Sequence, residues 1–224
     1  MPVIPPLSPT TLKRLPRYLA VTKAFGDNGW EYVKSRDLSR ACDIQEILVR
    51  KDLIQTGVHG RQHRGYPIAK LVKAITEIIG WDFDHRAILI GTGEFPCAVI
   101  KNPVFEKARV KFVLAADLEP SRIGGEVEGL EIQTLDAALE KVSDEKVDIA
   151  VLAVPLSSAQ AVADRLVAAG IHAILNFTNI CLDVPEDVEV ADADLSPYVG
   201  VLGHALSELR KAAQRRMSGG KKKG

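Results

Sequence analysis

Apolar positions along the chain follow two different periods. Up to about residue 80 they recur every three to four residues, the spacing of one helical face. Leu12, Leu15 and Leu19 mark a helix over residues 11–25, which Ser8 or Thr10 can cap; Pro16 falls early enough to be tolerated, with a bend in the first turn. The GDNG stretch at 26–29 is a turn. Ser35 then caps a short helix over 36–41, and Asp43 caps another over 44–55, which ends at Thr56-Gly57 with a glycine C-cap. Two short helices across a tight turn make a helix-turn-helix. The VHGRQHRGYPI stretch that follows has β-compatible ends at Val58 and Tyr66–Ile68, which reads as a two-stranded wing with a basic tip. A helix over 71–79 closes this part of the chain.

From residue 86 the period changes. Continuous apolar runs at 87–90, 110–116, 147–154 and 172–177 alternate with helical stretches at 95–107, 134–141 and 157–169. Buried strands separated by helices mean a parallel sheet built from βαβ units. Ser157 and Ser158 open the last of these helices and serve as caps. A long helix over 196–217 carries Tyr198, Val201, Leu202, Ala205 and Leu209 along one stripe. The expected fold is therefore α/β with an N-terminal winged-helix domain (1–82), a Rossmann-like parallel sheet (83–196), a C-terminal helix (197–217) and a basic tail (218–224).

Charge adds an asymmetry to this division. The 224 residues have a formal net charge of zero, but residues 1–80 hold 13 Lys and Arg against 7 Asp and Glu, and the remainder 16 against 22. A half at +6 joined to a half at −6 is expected when only the first meets a polyanion. No run of eighteen apolar residues marks a membrane span, and prolines occupy the N-terminal stretch where a signal peptide needs an apolar core. Three widely spaced cysteines fit a reducing cytoplasm, and none has C-x-x-C spacing for zinc.

The candidate chemistry lies in AILIGTGEFP at 87–96. An apolar strand runs into Gly91-Thr92-Gly93 and then Glu94-Phe95, as a dinucleotide-binding turn does, but Pro96 stands at the third glycine position of G-x-G-x-x-G. A proline in a first helical turn removes an N–H that is unpaired anyway, although its bulk holds helix and strand further apart. The second strand ends at Asp117, followed by Leu118. An acid there accepts ribose hydroxyls and repels a 2′-phosphate, which selects NAD over NADP. No histidine or serine stands beside a plausible catalytic partner.

Several stretches together resemble the Rex family of bacterial redox-sensing repressors: TLKRLPRYL from Thr11, VRKDLIQTG from Val49, RGYPI from Arg64, VPLSSAQAVADRLVAAGI from Val154, LNFTNICLDVP from Leu175 and DLS from Asp194. The resemblance spans residues 4–200. It implies a homodimer whose winged helices bind a palindromic double-stranded DNA operator, whose Rossmann domains bind NADH or NAD⁺, and whose C-terminal helices are exchanged; NADH releases the DNA. On this reading Arg14, Ser35, Gln45, Arg50, Lys51, Arg61 and Arg64 meet DNA. Val154, Pro155, Asn176, Phe177 and Thr178 join the turn residues and Asp117 around the dinucleotide. Arg14, Asn102 and Asp194 couple the two functions, with Asn102 where many members carry tyrosine. Leu48 replaces a frequent glutamine, and Pro96 a glycine. These departures imply a retuned NADH response. Three rivals stand beside this reading: the same repressor with an adenine nucleotide or coenzyme A as effector, an NAD-dependent oxidoreductase, and a dimeric scaffold that has lost effector binding.

Overall fold

The computed structural model describes residues 7–219, with backbone alone for 212–219. The expected basic tail therefore lies mostly outside the described residues. The chain forms two compact units: one reaches to Asp84 and includes Pro103–Val110, and the other comprises His85–Asn102 and the chain from Lys111 onward.

The first unit contains α1 (Pro9–Asp27), β1 (Tyr32–Val33), α2 (Ser35–Cys42), α3 (Glu46–Gln55), β2 (Tyr66–Pro67) and α4 (Ile68–Ile78). Ser8 caps α1, its hydroxyl accepting from the Thr11 N–H at 3.2 Å, with Pro9 at the start of the helix. The helix begins two residues earlier than the apolar pattern indicated, so Pro16 falls inside it and not in its first turn. Its buried stripe is Leu15, Tyr18 and Leu19, while Leu12 stays exposed. These residues pack with Val33, Leu38, Val49, Leu53, Leu71 and Ile75 into one core.

Three expectations change here. Ser35 does not cap α2; Lys34 is the N-cap residue, its N–H donating to Asp37 at 3.3 Å. Asp43 does not cap α3; it ends α2 in the left-handed region at φ 51°, and α3 starts only at Glu46. The wing does not begin at Val58, because β2 pairs antiparallel with β1, which precedes the helix-turn-helix. At two residues, Tyr32–Val33 is too short to register as a strand. Gly65 closes the wing at φ 97°, where a Cβ would lie 2.3 Å from the Val33 carbonyl oxygen, so no other residue fits without a shift.

The second unit is built on β3 (His85–Ile90), α5 (Glu94–Ile100), β4 (Val110–Asp117), β5 (Glu126–Val127), β6 (Leu130–Thr134), α7 (Leu135–Glu140), β7 (Ile149–Leu152), α8 (Leu156–Ala168), β8 (Ala173–Asn176), β9 (Glu189–Asp192) and α9 (Ser196–Gly219); α6 (Pro103–Lys107) groups with the first unit. Strand order is β5-β6-β4-β3-β7-β8-β9. The β4–β6, β3–β7, β7–β8 and β8–β9 pairs are parallel, and β5–β6 is an antiparallel hairpin at the edge. Without that hairpin strand the order is the 3-2-1-4-5-6 arrangement of a Rossmann sheet. The chain reverses direction of travel across the sheet at β3, which places the binding crevice at the carboxyl ends of β3, β4 and β7.

The single helix expected over 95–107 is two helices. Pro103 disfavours a helical conformation at Asn102, so α5 ends at Ile100 and α6 starts at Pro103. Ser157 and Ser158 lie within α8, whose N-cap is Pro155 without a side-chain cap bond. Ile88, Ile90, Leu114, Ala116, Leu152 and Leu166 form the centre of the core, in line with strands covered on both faces. Among the described residues no helix is long and apolar enough to cross a membrane.

Candidate functional site

The crevice begins at Gly91, φ 93°, where an added Cβ would stand 2.2 Å from the Ala153 carbonyl oxygen. The turn therefore requires glycine for the fold itself. Gly93 is different. A Cβ there would meet nothing closer than the Arg122 Nη1 at 3.7 Å, so the protein's own packing does not demand glycine. Its lack of a side chain matches close approach of a pyrophosphate. Pro96 is buried in the first turn of α5, where the first amide to reach back is that of Cys97, donating to the Gly93 carbonyl at 3.1 Å. The missing N–H leaves no bond unmade.

Asp117 lies buried at the end of β4. Its Oδ2 accepts the Thr92 N–H and the Thr92 hydroxyl, both at 2.6 Å, and its Oδ1 accepts the Glu119 N–H at 2.9 Å. Burial works against ionisation, but the Thr92 hydroxyl and these backbone donors outweigh it and hold the carboxyl below the usual carboxylate range. The acid is thus a fixed anion tied to the glycine turn. Arg122 was not anticipated: its guanidinium donates to the Thr92 carbonyl and has Nε 3.9 Å from Asp117 Oδ2. Only its place five residues beyond the acid could have signalled it.

Further along the strand ends, Phe95 and Phe177 meet edge to face with ring centroids 5.5 Å apart. They line a cleft with Asp194, Leu195 and Ser196, so residues chosen for two different roles share one place. Asp194 accepts the Ser196 N–H at 2.7 Å at the start of α9. Asn176 and Thr178 face inward instead. The Asn176 amide donates to the Ile180 carbonyl and to Asp192, and its oxygen accepts both the N–H and hydroxyl of Thr178. Their bonds shape the loop. Val154 is buried, and Pro155 and Leu118 are exposed at their strand ends. Burial pushes the Cys97 thiol up, and its Sγ donates to the Thr92 carbonyl at 3.3 Å. Asn102 occupies the break after α5, and Glu94 is the exposed first residue of that helix.

In the first unit Arg50 and Lys51 project from the exposed side of α3, and Gln45 is its exposed N-cap residue. Arg61 and Arg64 in the wing stand 5.5 and 5.8 Å from the Tyr32 ring centroid. Ser35 donates to Glu46 at 2.8 Å, and Arg50 donates to both, to Glu46 at 2.7 Å and Ser35 at 3.2 Å. Arg14 points elsewhere: its guanidinium forms a two-pronged bond to buried Asp52 at 2.7 Å on each arm. Tyr18 and Thr11 complete that cage by donating to the same carboxylate. The R-L-P-R-Y and R-K-D-L motifs are therefore two halves of one buried network. Among the described residues no cluster of three or more His, Cys, Asp or Glu could hold a metal.

Residues 82–180 match a family model described as "CoA binding domain", and residues 6–53 one described as "Putative DNA-binding protein N-terminus". A protein of Treponema denticola named "Redox-sensing transcriptional repressor Rex" is 36% identical over 198 residues, 88% of this chain and 94% of that relative. The chain belongs to the Rex family. Its solved Rex-family neighbours include the repressor RSP in complex with β-NAD⁺ and operator DNA, at TM-score 0.84 and 31% identity over 96% of this chain and 98% of the other. RSP in complex with β-NADH gives 0.80 and 30%, over 93% and 98%. Rex relatives are named as repressors, so the oxidoreductase alternative falls away.

Proposed function

We propose that this Rex chain is a dimeric repressor that binds palindromic operator DNA through its first unit and NADH or NAD⁺ through its second, with NADH lowering operator affinity. The observation that carries this reading is one relationship spanning both units, at 36% identity, to a redox-sensing repressor. The site chemistry supports it. Gly91 and Gly93 give the phosphate turn, buried Asp117 with Leu118 suits an adenosine ribose, and Phe95 and Phe177 with Val154 and Pro155 form the apolar wall for the nicotinamide end. Arg50, Lys51, Gln45, Arg61 and Arg64 are the DNA contacts, Ser35 acting through Arg50. Arg14 is assigned to holding α3 and, with Asn102 and Asp194, to coupling. Exposed Tyr198, Val201, Leu202 and Leu209 on α9 supply the dimer contact. The cytoplasm, where the operator lies, is its place, and three free cysteines agree with that.

Two-state linkage makes the test reciprocal: NADH must weaken operator binding by the factor by which the operator weakens NADH binding. Titrations of a selected operator fragment with and without NADH and NAD⁺ measure it. Equal operator affinity under all conditions would overturn redox sensing. The match of residues 82–180 to a CoA-binding model keeps coenzyme A and adenine nucleotides as the second reading for the effector. Calorimetry with NADH, NAD⁺, ATP and coenzyme A separates them.

A further inference from the structure

The α3 surface carries an acid where a polyanion-binding surface should have none. Glu46 opens the helix, and its Oε1 accepts from Ser35 Oγ at 2.8 Å and Arg50 Nη2 at 2.7 Å. Arg50 Nε also donates to Ser35 Oγ at 3.2 Å, which closes a three-membered ring of side chains. The ring lines one cleft together with Lys34, Arg36 and Arg61. Against phosphates alone Glu46 is a liability, since it repels them and neutralises one of the cations meant for them. A carboxylate only accepts hydrogen bonds. In the major groove the cytosine N4 amino group offers a donor to such an acceptor, whereas adenine places N7, itself an acceptor, beside its amino group, and guanine and thymine present acceptors. The bonds within the ring use Nε and one hydrogen of Nη2. The end-on edge of the guanidinium, Nη1 with the second Nη2 hydrogen, is the edge that matches O6 and N7 of guanine.

We propose that Glu46 is a specificity-determining residue of the DNA interface: it fixes Arg50 for a guanine and itself accepts from N4 of a cytosine in the same or the adjoining base pair. The assignment rests on the DNA-binding reading above and adds a base preference to it. Side chains four residues apart on a helix lie about 5–6 Å apart, a separation that fits neighbouring base edges. Ser35, at the start of α2, holds the ring in register.

The test is selection of binding sites from a randomised duplex DNA library by the full-length protein, its Glu46→Gln variant and its Glu46→Ala variant, followed by titration of the recovered sites with single base-pair changes. Wild type is expected to require cytosine at one position of each half-site, about tenfold over other bases. Glu46→Gln should move that preference to adenine, which glutamine reads through N6 and N7, and Glu46→Ala should relax it. Both variants should keep the preferences at every position outside those assigned to Glu46 and Arg50. A wild type that selects a site while both variants keep every preference, or lose affinity uniformly, overturns the proposal and leaves DNA binding intact. A wild type that selects no site overturns the DNA-binding reading and this proposal with it. Glu46 is partly exposed and outside the core, and matching thermal melts of the variants confirm that folding is unchanged.

Discussion

Gly91 and Gly93 occupy one turn yet answer to different constraints. Replacing Gly91 by alanine forces an L side chain into φ 93° and against a backbone oxygen at 2.2 Å, which should cost about 2 kcal/mol or more and appear as a lower melting temperature. Gly93→Ala meets no such contact. It should melt as wild type does while NADH affinity, read by calorimetry, drops about tenfold, or roughly 1.4 kcal/mol. Asp52 makes the opposite case, a residue whose worth is structural. Its burial disfavours charge, yet the bonds from Arg14, Tyr18 and Thr11 bring its carboxyl below the ordinary range. A carboxyl depressed by folding adds stability above its unfolded pKa and loses it as pH falls through the folded one. Asp52→Asn should therefore destabilise at neutral pH by about 3 kcal/mol in urea unfolding. The gap to wild type should narrow as pH drops below about 4.

At the scale of elements, α3 presents two kinds of cation. Lys51 is exposed and outside the Glu46 ring, so it is expected to act as a phosphate contact. Lys51→Ala should weaken binding to all sequences alike and lower the salt slope by about one, as measured by fluorescence anisotropy across a salt series. Which elements the sequence disclosed follows from their length and burial. Central strands such as β3 and β7 are runs of buried aliphatics and were legible. Edge strands β5 and β9, and β6 beside β5, were missed because polar and charged residues interrupt them: Glu126, Glu131 and Glu189 are exposed. The break at Asn102 was missed because apolar spacing continues across Pro103 into Val104. In the site, Gly91, Gly93 and Asp117 were legible from spacing along a strand–turn–helix unit. Arg122 and Glu46 were not, since each matters through a partner 30 and 11 residues away, a distance that only the fold removes.

On the scale of the whole molecule, α9 has an apolar stripe that remains exposed in the single chain: Tyr198 is 71% and Val201 70% exposed. Such a surface needs a cover, and the second copy proposed above, reading the other half of a palindrome, would supply one. The double substitution Val201→Asp with Leu202→Asp should give monomers in analytical ultracentrifugation. Those monomers should fold normally and bind a full palindrome no more tightly than a half-site.

The carboxylate of Asp52 has a mechanical consequence. It sits on α3 and is gripped by three residues of α1, so the two helices cannot tilt independently without exposing a buried charge. Their slowest amide protons should exchange with deuterium at one common opening free energy, as a single cooperative unit, and Asp52→Asn should split that value in two. A push on α1 should then reach α3, the helix proposed to face DNA, as a rotation of the pair together.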